Sequence, residues 1–129
     1  MQIKRGFINT PDGQIEYREA GEGKPLLFMH ATPVSSAYYA EYFRFFPSGY
    51  RLIAMTTIGY GESSKPNKPY TSVKEFAQSV QWFIDGLELE TFDLFGTHTG
   101  GIISIEVALQ NQDRIKHLIL DPDGTYAND

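Results

Sequence analysis

The stretch FDLFGTHTGG, residues 92–101, holds the side chain best placed for chemistry. An apolar run leads into Gly96-Thr97-His98-Thr99-Gly100, and a second apolar run, IISIEVAL, follows. A Gly-x-residue-x-Gly frame between a strand and a helix forces an abrupt reversal. The glycines relieve crowding, and the central residue is held in a strained conformation at the top of the sheet. That residue is His98. A neutral imidazole is a base near pH 7 and could activate water; it could also attack a carbonyl and form a labile acyl-imidazole. Either role needs an orienting partner, and Asp121 or Asp123 could supply one after the next apolar run, IKHLIL.

Other candidates read more plainly. Ser35 or Ser36 is expected as a helix cap and Ser63 as a loop hydrogen bonder, and neither they nor any other serine occupies the turn centre. A Ser-His-Asp mechanism is therefore not expected within this chain. His117 lies inside an apolar strand and reads as packing or surface, and Glu62 and Glu106 read as solvated. Gly59 and Gly61 lack both the Gly-Lys pattern of a phosphate loop and the third glycine of a dinucleotide fingerprint, so a turn explains them.

The elements that must position His98 follow from pattern. KRGFINT, the turn PDG and QIEYREA read as an antiparallel hairpin. LLFMH reads as a short buried strand, SAYYAEYFRFF as a helix, and YRLIAM as the next strand. Ser72 and Glu75 form a capping box for a helix whose apolar face carries Val73, Phe76, Ala77, Val80, Phe83, Ile84 and Leu87. TFDLFG is a buried strand, GGIISIEVALQNQ a helix with few charges that should be well covered, and IKHLIL a last strand. Strands alternating with helices imply a largely parallel sheet, whose ligand groups gather at the carboxyl ends of its strands. Those ends are His30, Met55 to Ile58, His98 and Asp121.

The composition narrows the possibilities. A chain of 129 residues, 41% hydrophobic, suits one domain over residues 1–129. Its net charge of −5 and lack of a basic cluster argue against a nucleic-acid partner. No window is long and apolar enough to span a membrane, and MQIKRGFINT lacks the apolar core of a signal peptide. There is no cysteine, which is compatible with a reducing cytoplasm.

Four motifs in order give a resemblance. LLFMHATP looks like an HG-x-P turn after a strand, GYGESSKP like a G-x-G-x-S loop, and YTSVKEFAQSVQWFIDGLELETFDLFGTHTGG like a helix, strand and nucleophile elbow. ALQNQDRIKHLIL looks like the helix end and strand that follow. The chain resembles the N-terminal half of α/β-hydrolase-fold proteins, which include esterases, haloalkane dehalogenases and epoxide hydrolases. The resemblance implies an α/β fold: a three-layer α/β/α sandwich around a mostly parallel sheet of about six strands, a truncated α/β-hydrolase fold. It implies a hydrolase of small esters, halides or epoxides, with oxyanion donors at the backbone N–H groups of Thr32 and Thr99. His30 would line the pocket in a structural role. A metal at His30, His98 and Asp121 is the sharper alternative, but the spacing carries no signature, so neither metal nor cofactor is expected.

The departures set the competing expectation. His98 stands where the family usually has Ser, Asp or Cys, Ala31 where it has Gly, and Thr56 where Asp is frequent. The sequence stops after the sixth of eight expected strands, short of the usual catalytic histidine. An apolar last strand with an unpaired edge invites pairing, so a homo-oligomer through that strand is expected. The series Tyr38, Tyr39, Tyr42, Phe43, Phe45 and Phe46 should leave some rings exposed. A non-catalytic ligand-binding or assembly domain is the alternative function.

Overall fold

A computed structural model describes residues 2–32 and 34–121. Six strands form one sheet: β1 (Lys4–Thr10), β2 (Gly13–Ala20), β3 (Lys24–Met29), β4 (Tyr50–Met55), β5 (Phe92–Thr97) and β6 (Ile115–Asp121). Their order is β1-β2-β4-β3-β5-β6. The hairpin β1-β2 joins β4 antiparallel, and β4, β3, β5 and β6 run parallel. The apolar centres of β3 and β4 are continuous because both faces are covered. On one face Leu27, Met29, Ile53, Met55 and Leu94 pack under α2 (Val73–Gly86) and α3 (Thr99–Gln110). On the other, Leu26, Phe28, Leu52 and Ala54 pack under the short helix α1 (Ser36–Ala40) and the single 3₁₀ turn after it. This is the three-layer arrangement.

The start of α2 follows from its capping chemistry. Ser72 Oγ accepts the Glu75 N–H at 3.2 Å, and the Glu75 carboxylate accepts the Thr71 N–H at 3.0 Å. The reciprocal bond thus falls one residue earlier than in the usual box. Ala77, Val80, Phe83 and Ile84 are buried, Phe76 and Leu87 are partly buried, and Val73 is exposed at the helix end.

Two expectations are corrected. The helix read across residues 36–46 ends at Ala40, and a 3₁₀ turn at Phe43–Phe45 replaces its second half. Aromatic residues are indifferent helix formers, so packing decides: the break drives Phe43 to full burial, 5.7 Å from the Phe28 ring. Tyr38, Tyr42 and Phe45 are left exposed. Helix α3 is not well covered. It buries Ile103 and Val107 but exposes Ile102, Ile105 and Leu109, because among the described residues no element lies over that side. Strand β6 ends the sheet, with Leu118, Ile119 and Leu120 all exposed. No helix among the described residues is long and apolar enough to cross a membrane.

Candidate functional site

Strand β5 ends at Thr97 and α3 begins at Thr99, leaving His98 alone to make the reversal. Its backbone sits at φ 53°, ψ −118°, a region that side-chain-bearing residues rarely adopt. Such a conformation costs of order 1–3 kcal/mol and persists only where the surroundings over-determine it. Two glycines do so. A Cβ on Gly96 would lie 2.5 Å from Ser104 Oγ and 2.6 Å from the Gly100 carbonyl oxygen. A Cβ on Gly100 would lie 2.3 Å from the Met29 carbonyl oxygen. The first turn of α3 is therefore pressed against the end of β3. The His98 carbonyl accepts the N–H groups of Gly101 (2.8 Å) and Ile102 (3.1 Å), which locks the turn to the helix.

His98 is half-buried and borders a cleft of about 270 Å³ with Gly96, Gly101, Ile102, Ile105, Leu120 and Asp121. The parallel pairing of β5 with β6 sets Asp121 beside Thr97, so the carboxylate and the imidazole share one cleft. Asp123 lies outside the described residues.

His30 is 1% exposed and lines neither this cleft nor the one beside Thr99. Its Nδ1–H donates to the Ala31 carbonyl at 2.8 Å, and its Nε2 accepts the Thr57 N–H at 2.9 Å. That pair of partners selects the neutral ring. Burial holds its pKa below the usual histidine value, although the Ala31 bond and the Glu16 charge pull the other way. The ring ties the end of β3 to the loop after β4. With both nitrogens engaged it has no lone pair for a metal, and among the described residues no group of three His, Cys, Asp or Glu side chains is placed to hold one.

The Thr32 N–H donates to Thr99 Oγ1 at 2.9 Å, and that hydroxyl lies 3.3 Å from Thr32 Oγ1. The amide anticipated as an oxyanion donor is thus engaged by a side chain of the other donor residue. Both threonines line a second cleft of about 190 Å³, with Thr57, Tyr60, Val73, Phe76, Ile102 and Ile103. Ser35 caps α1, its Oγ accepting the Ala37 N–H at 3.3 Å. Ser63 Oγ accepts the Glu16 N–H at 2.9 Å and donates to the Thr56 carbonyl at 2.8 Å. His117 is exposed, with Nδ1 2.9 Å from Asp93 Oδ1. Gly59 and Gly61 take positive φ in a turn after β4.

No local pattern singles out Glu16, which is 1% exposed. Its carboxylate accepts from Thr56 Oγ1 (2.5 Å), Ser36 Oγ (2.7 Å) and Arg5 Nε (2.9 Å), with Arg18 Nε at 3.4 Å. Burial raises its pKa, but the two hydroxyls and the two guanidinium groups together outweigh that and hold it below the usual carboxylate value. The network includes Thr56, so it braces the end of β4.

A six-stranded, mostly parallel sheet with helices on both faces and a strained strand-to-helix turn defines a class of fold. Residues 24–122 match the alpha/beta hydrolase fold family, and the chain belongs to it. It is 36% identical to a haloalkane dehalogenase of Agrobacterium fabrum over 103 residues, which is 80% of this chain and 34% of that protein. It is 34% identical to a 1-acylglycerol-3-phosphate O-acyltransferase of Arabidopsis thaliana over 110 residues, 79% of this chain and 26% of that one. The crystal structure of haloalkane dehalogenase DatA from Agrobacterium tumefaciens C58 superposes with a TM-score of 0.85 at 31% identity, over 93% of this chain and 41% of DatA. The chain therefore spans about a quarter to two fifths of the length of these relatives.

Proposed function

We propose that the turn at His98 is a nucleophile elbow carrying a hydrolytic site for small neutral esters, in which the imidazole acts first. The observation that supports it most is the strained backbone of His98, since strain of this kind clusters at reactive positions. In the direct route, imidazole nitrogen attacks the ester carbonyl, and the alkoxide departs with a proton from solvent. Water then cleaves the acyl-imidazole, releasing the acid and regenerating the ring. In the parallel route the ring takes a proton from water as the oxygen attacks. Asp121 would orient the ring and stabilise its protonated form. The Thr99 N–H, at the start of α3, would meet the developing oxyanion, joined by the Thr32 N–H once the Thr99 hydroxyl moves aside.

The relatives' names add halides and the fold class adds epoxides, but the nucleophile separates the three. Imidazole attack on an alkyl halide or an epoxide leaves a stable alkylimidazole, whereas an acyl-imidazole is hydrolysed, so by direct attack of this ring only acyl chemistry turns over. The cysteine-free composition fits a reducing cytoplasm, the location we propose for this activity. Hydrolysis of p-nitrophenyl acetate by the chain, abolished in His98→Ala and reduced in Asp121→Asn, is the expected result. An unchanged rate in His98→Ala refutes the reading.

A second, non-catalytic reading rests on β6. Its outer edge has no strand neighbour among the described residues, and Leu118, Ile119 and Leu120 are exposed beside Ile102 and Ile105 of α3. We propose that a second copy of the chain pairs with it, β6 to β6. Sedimentation should show a dimer that Leu118→Lys converts to monomer; a wild-type monomer overturns it.

A further inference from the structure

One irregularity in the sheet has no part in the His98 site. Strand β6 pairs with β5 at Ile115 and Phe92 and again at Leu118 and Leu94, so Lys116 and His117 together oppose the single residue Asp93. That is a β-bulge. Bulges re-aim side chains and are over-represented beside functional sites. Here the bulge brings Lys116, His117 and Asp93 to one cleft of about 460 Å³, shared with Lys24, Pro25, Tyr50 and Ile119. The cleft lies at the amino ends of β3, β4, β5 and β6, the end of the sheet opposite His98. Its groups reach solvent: Lys24, Lys116 and His117 are exposed, Pro25 and Tyr50 are half-buried, and Ile119 is 44% exposed. The Asp93 carboxylate already has a partner, with Oδ1 2.9 Å from His117 Nδ1. Neither lysine makes an ion pair among the described residues.

We propose that this cleft binds a small organic monoanion, one carboxylate on a flat apolar body. The charge argument is direct. Two ammonium groups against one carboxylate leave a single positive charge even with the imidazole neutral, so a monoanion is balanced and a cation is repelled. The lysine stems are long enough to lie along the wall while their heads turn to the bound carboxylate. Pro25, Tyr50 and Ile119 supply apolar surface for the rest of the ligand. The volume is that of a small-molecule site; an apolar cavity of about 150 Å³ holds benzene, so about 460 Å³ accepts two fused rings with their carboxylate. The cleft shares no residue with the site at His98, so it stands or falls separately from ester hydrolysis.

The test titrates the full chain with naphthoate and with the neutral naphthylmethanol, followed by amide NMR shifts. The expected result is saturable binding of naphthoate, with shifts centred on Lys24, Asp93 and His117. Naphthoate should be favoured over the alcohol by roughly 3- to 10-fold, the worth of two exposed ion pairs, and the preference should shrink as salt is raised. The double variant Lys24→Met/Lys116→Met changes two exposed side chains, so it should keep the fold, bind the alcohol as the wild type does and lose the preference. Thr91→Trp, which fills the cleft from its rim, should weaken both probes. Equal binding of the two probes to the wild type, a preference that survives in the double variant or is indifferent to salt, or shifts centred elsewhere each overturn the proposal. Failure of naphthoate to bind, or undiminished binding to Thr91→Trp, overturns it as well.

Discussion

Replacing His98 by glycine and by alanine separates the strain at the turn from the chemistry of the ring. Both variants lose the imidazole and whatever it touches, so the difference between them reports the backbone alone. At φ 53°, ψ −118° alanine keeps the steric penalty and glycine does not. The strain is of order 1–3 kcal/mol. Glycine returns about 0.5–1 kcal/mol of that through the greater freedom of its unfolded chain. From the middle of those ranges, His98→Gly should be more stable than His98→Ala by about 1 kcal/mol, and by about 2.5 kcal/mol at most. In a chain of 129 residues, 1 kcal/mol is roughly 4 °C in Tm, so the gap should be about 4 °C. Urea denaturation followed by far-UV circular dichroism gives the same difference from the midpoint, provided the two slopes agree. Neither variant should cleave p-nitrophenyl acetate. A His98→Gly protein no more stable than His98→Ala would show that the backbone at residue 98 is relaxed, and the argument from strain to reactivity would fail with it.

Further outcomes follow from neighbouring residues. Gly100→Ala should destabilise by at least 3 kcal/mol or prevent folding, because its Cβ meets backbone at 2.3 Å; Gly101→Ala, whose nearest neighbours lie at 3.4–3.6 Å, should cost under about 1 kcal/mol by urea titration. The lowered pKa of His30 means the unfolded chain binds the proton more readily than the folded one, so its contribution is complete above about pH 6.5 and is lost as the pH falls below it. His30→Gln should flatten the stability profile between pH 5 and 7, and an unaltered slope would count against the neutral ring. Glu16 has the same sign in a lower window: its contribution is present above its ordinary value of 4.5 and lost as acid protonates the folded carboxylate. Glu16→Gln should be less stable than wild type at pH 7 and approach it near pH 3.

What could be read in the chain was whatever a local pattern controls. Residues 50–55 form β4 as expected because a short apolar run lies between two turn signals, PSG and GYG. The start of α2 was legible in Ser72 and Glu75, and the turn at His98 in the spacing of Gly96 and Gly100. What could not be read depends on partners far along the chain. Glu16 lies in a hairpin strand where a charge ordinarily faces water; it is buried because Ser36 and Thr56, 20 and 40 residues away, bring hydroxyls to it. The Thr32 amide meets the Thr99 hydroxyl across 67 residues, a contact no spacing rule foresees. Helix α3 spreads its apolar residues around its axis, with Glu106 its one charge, so its pattern says little about which side is covered.

These long-range contacts also say how the turn is held. The His98 conformation would relax if α3 could move off the sheet, and what stops it is Gly100 seated on the Met29 carbonyl at the end of β3. Strand β3 is in turn fixed between β4 and β5, and its last residue is followed by His30, whose ring is pinned to the Thr57 amide beyond β4. Glu16 closes the same end of β4 through Thr56. The hairpin, the β3–β4 pair and two buried polar bridges therefore help to hold the strain at residue 98 in place. A turn braced through the sheet keeps its shape while the side chain at its tip takes up a substrate, which the ester hydrolysis proposed above requires of His98.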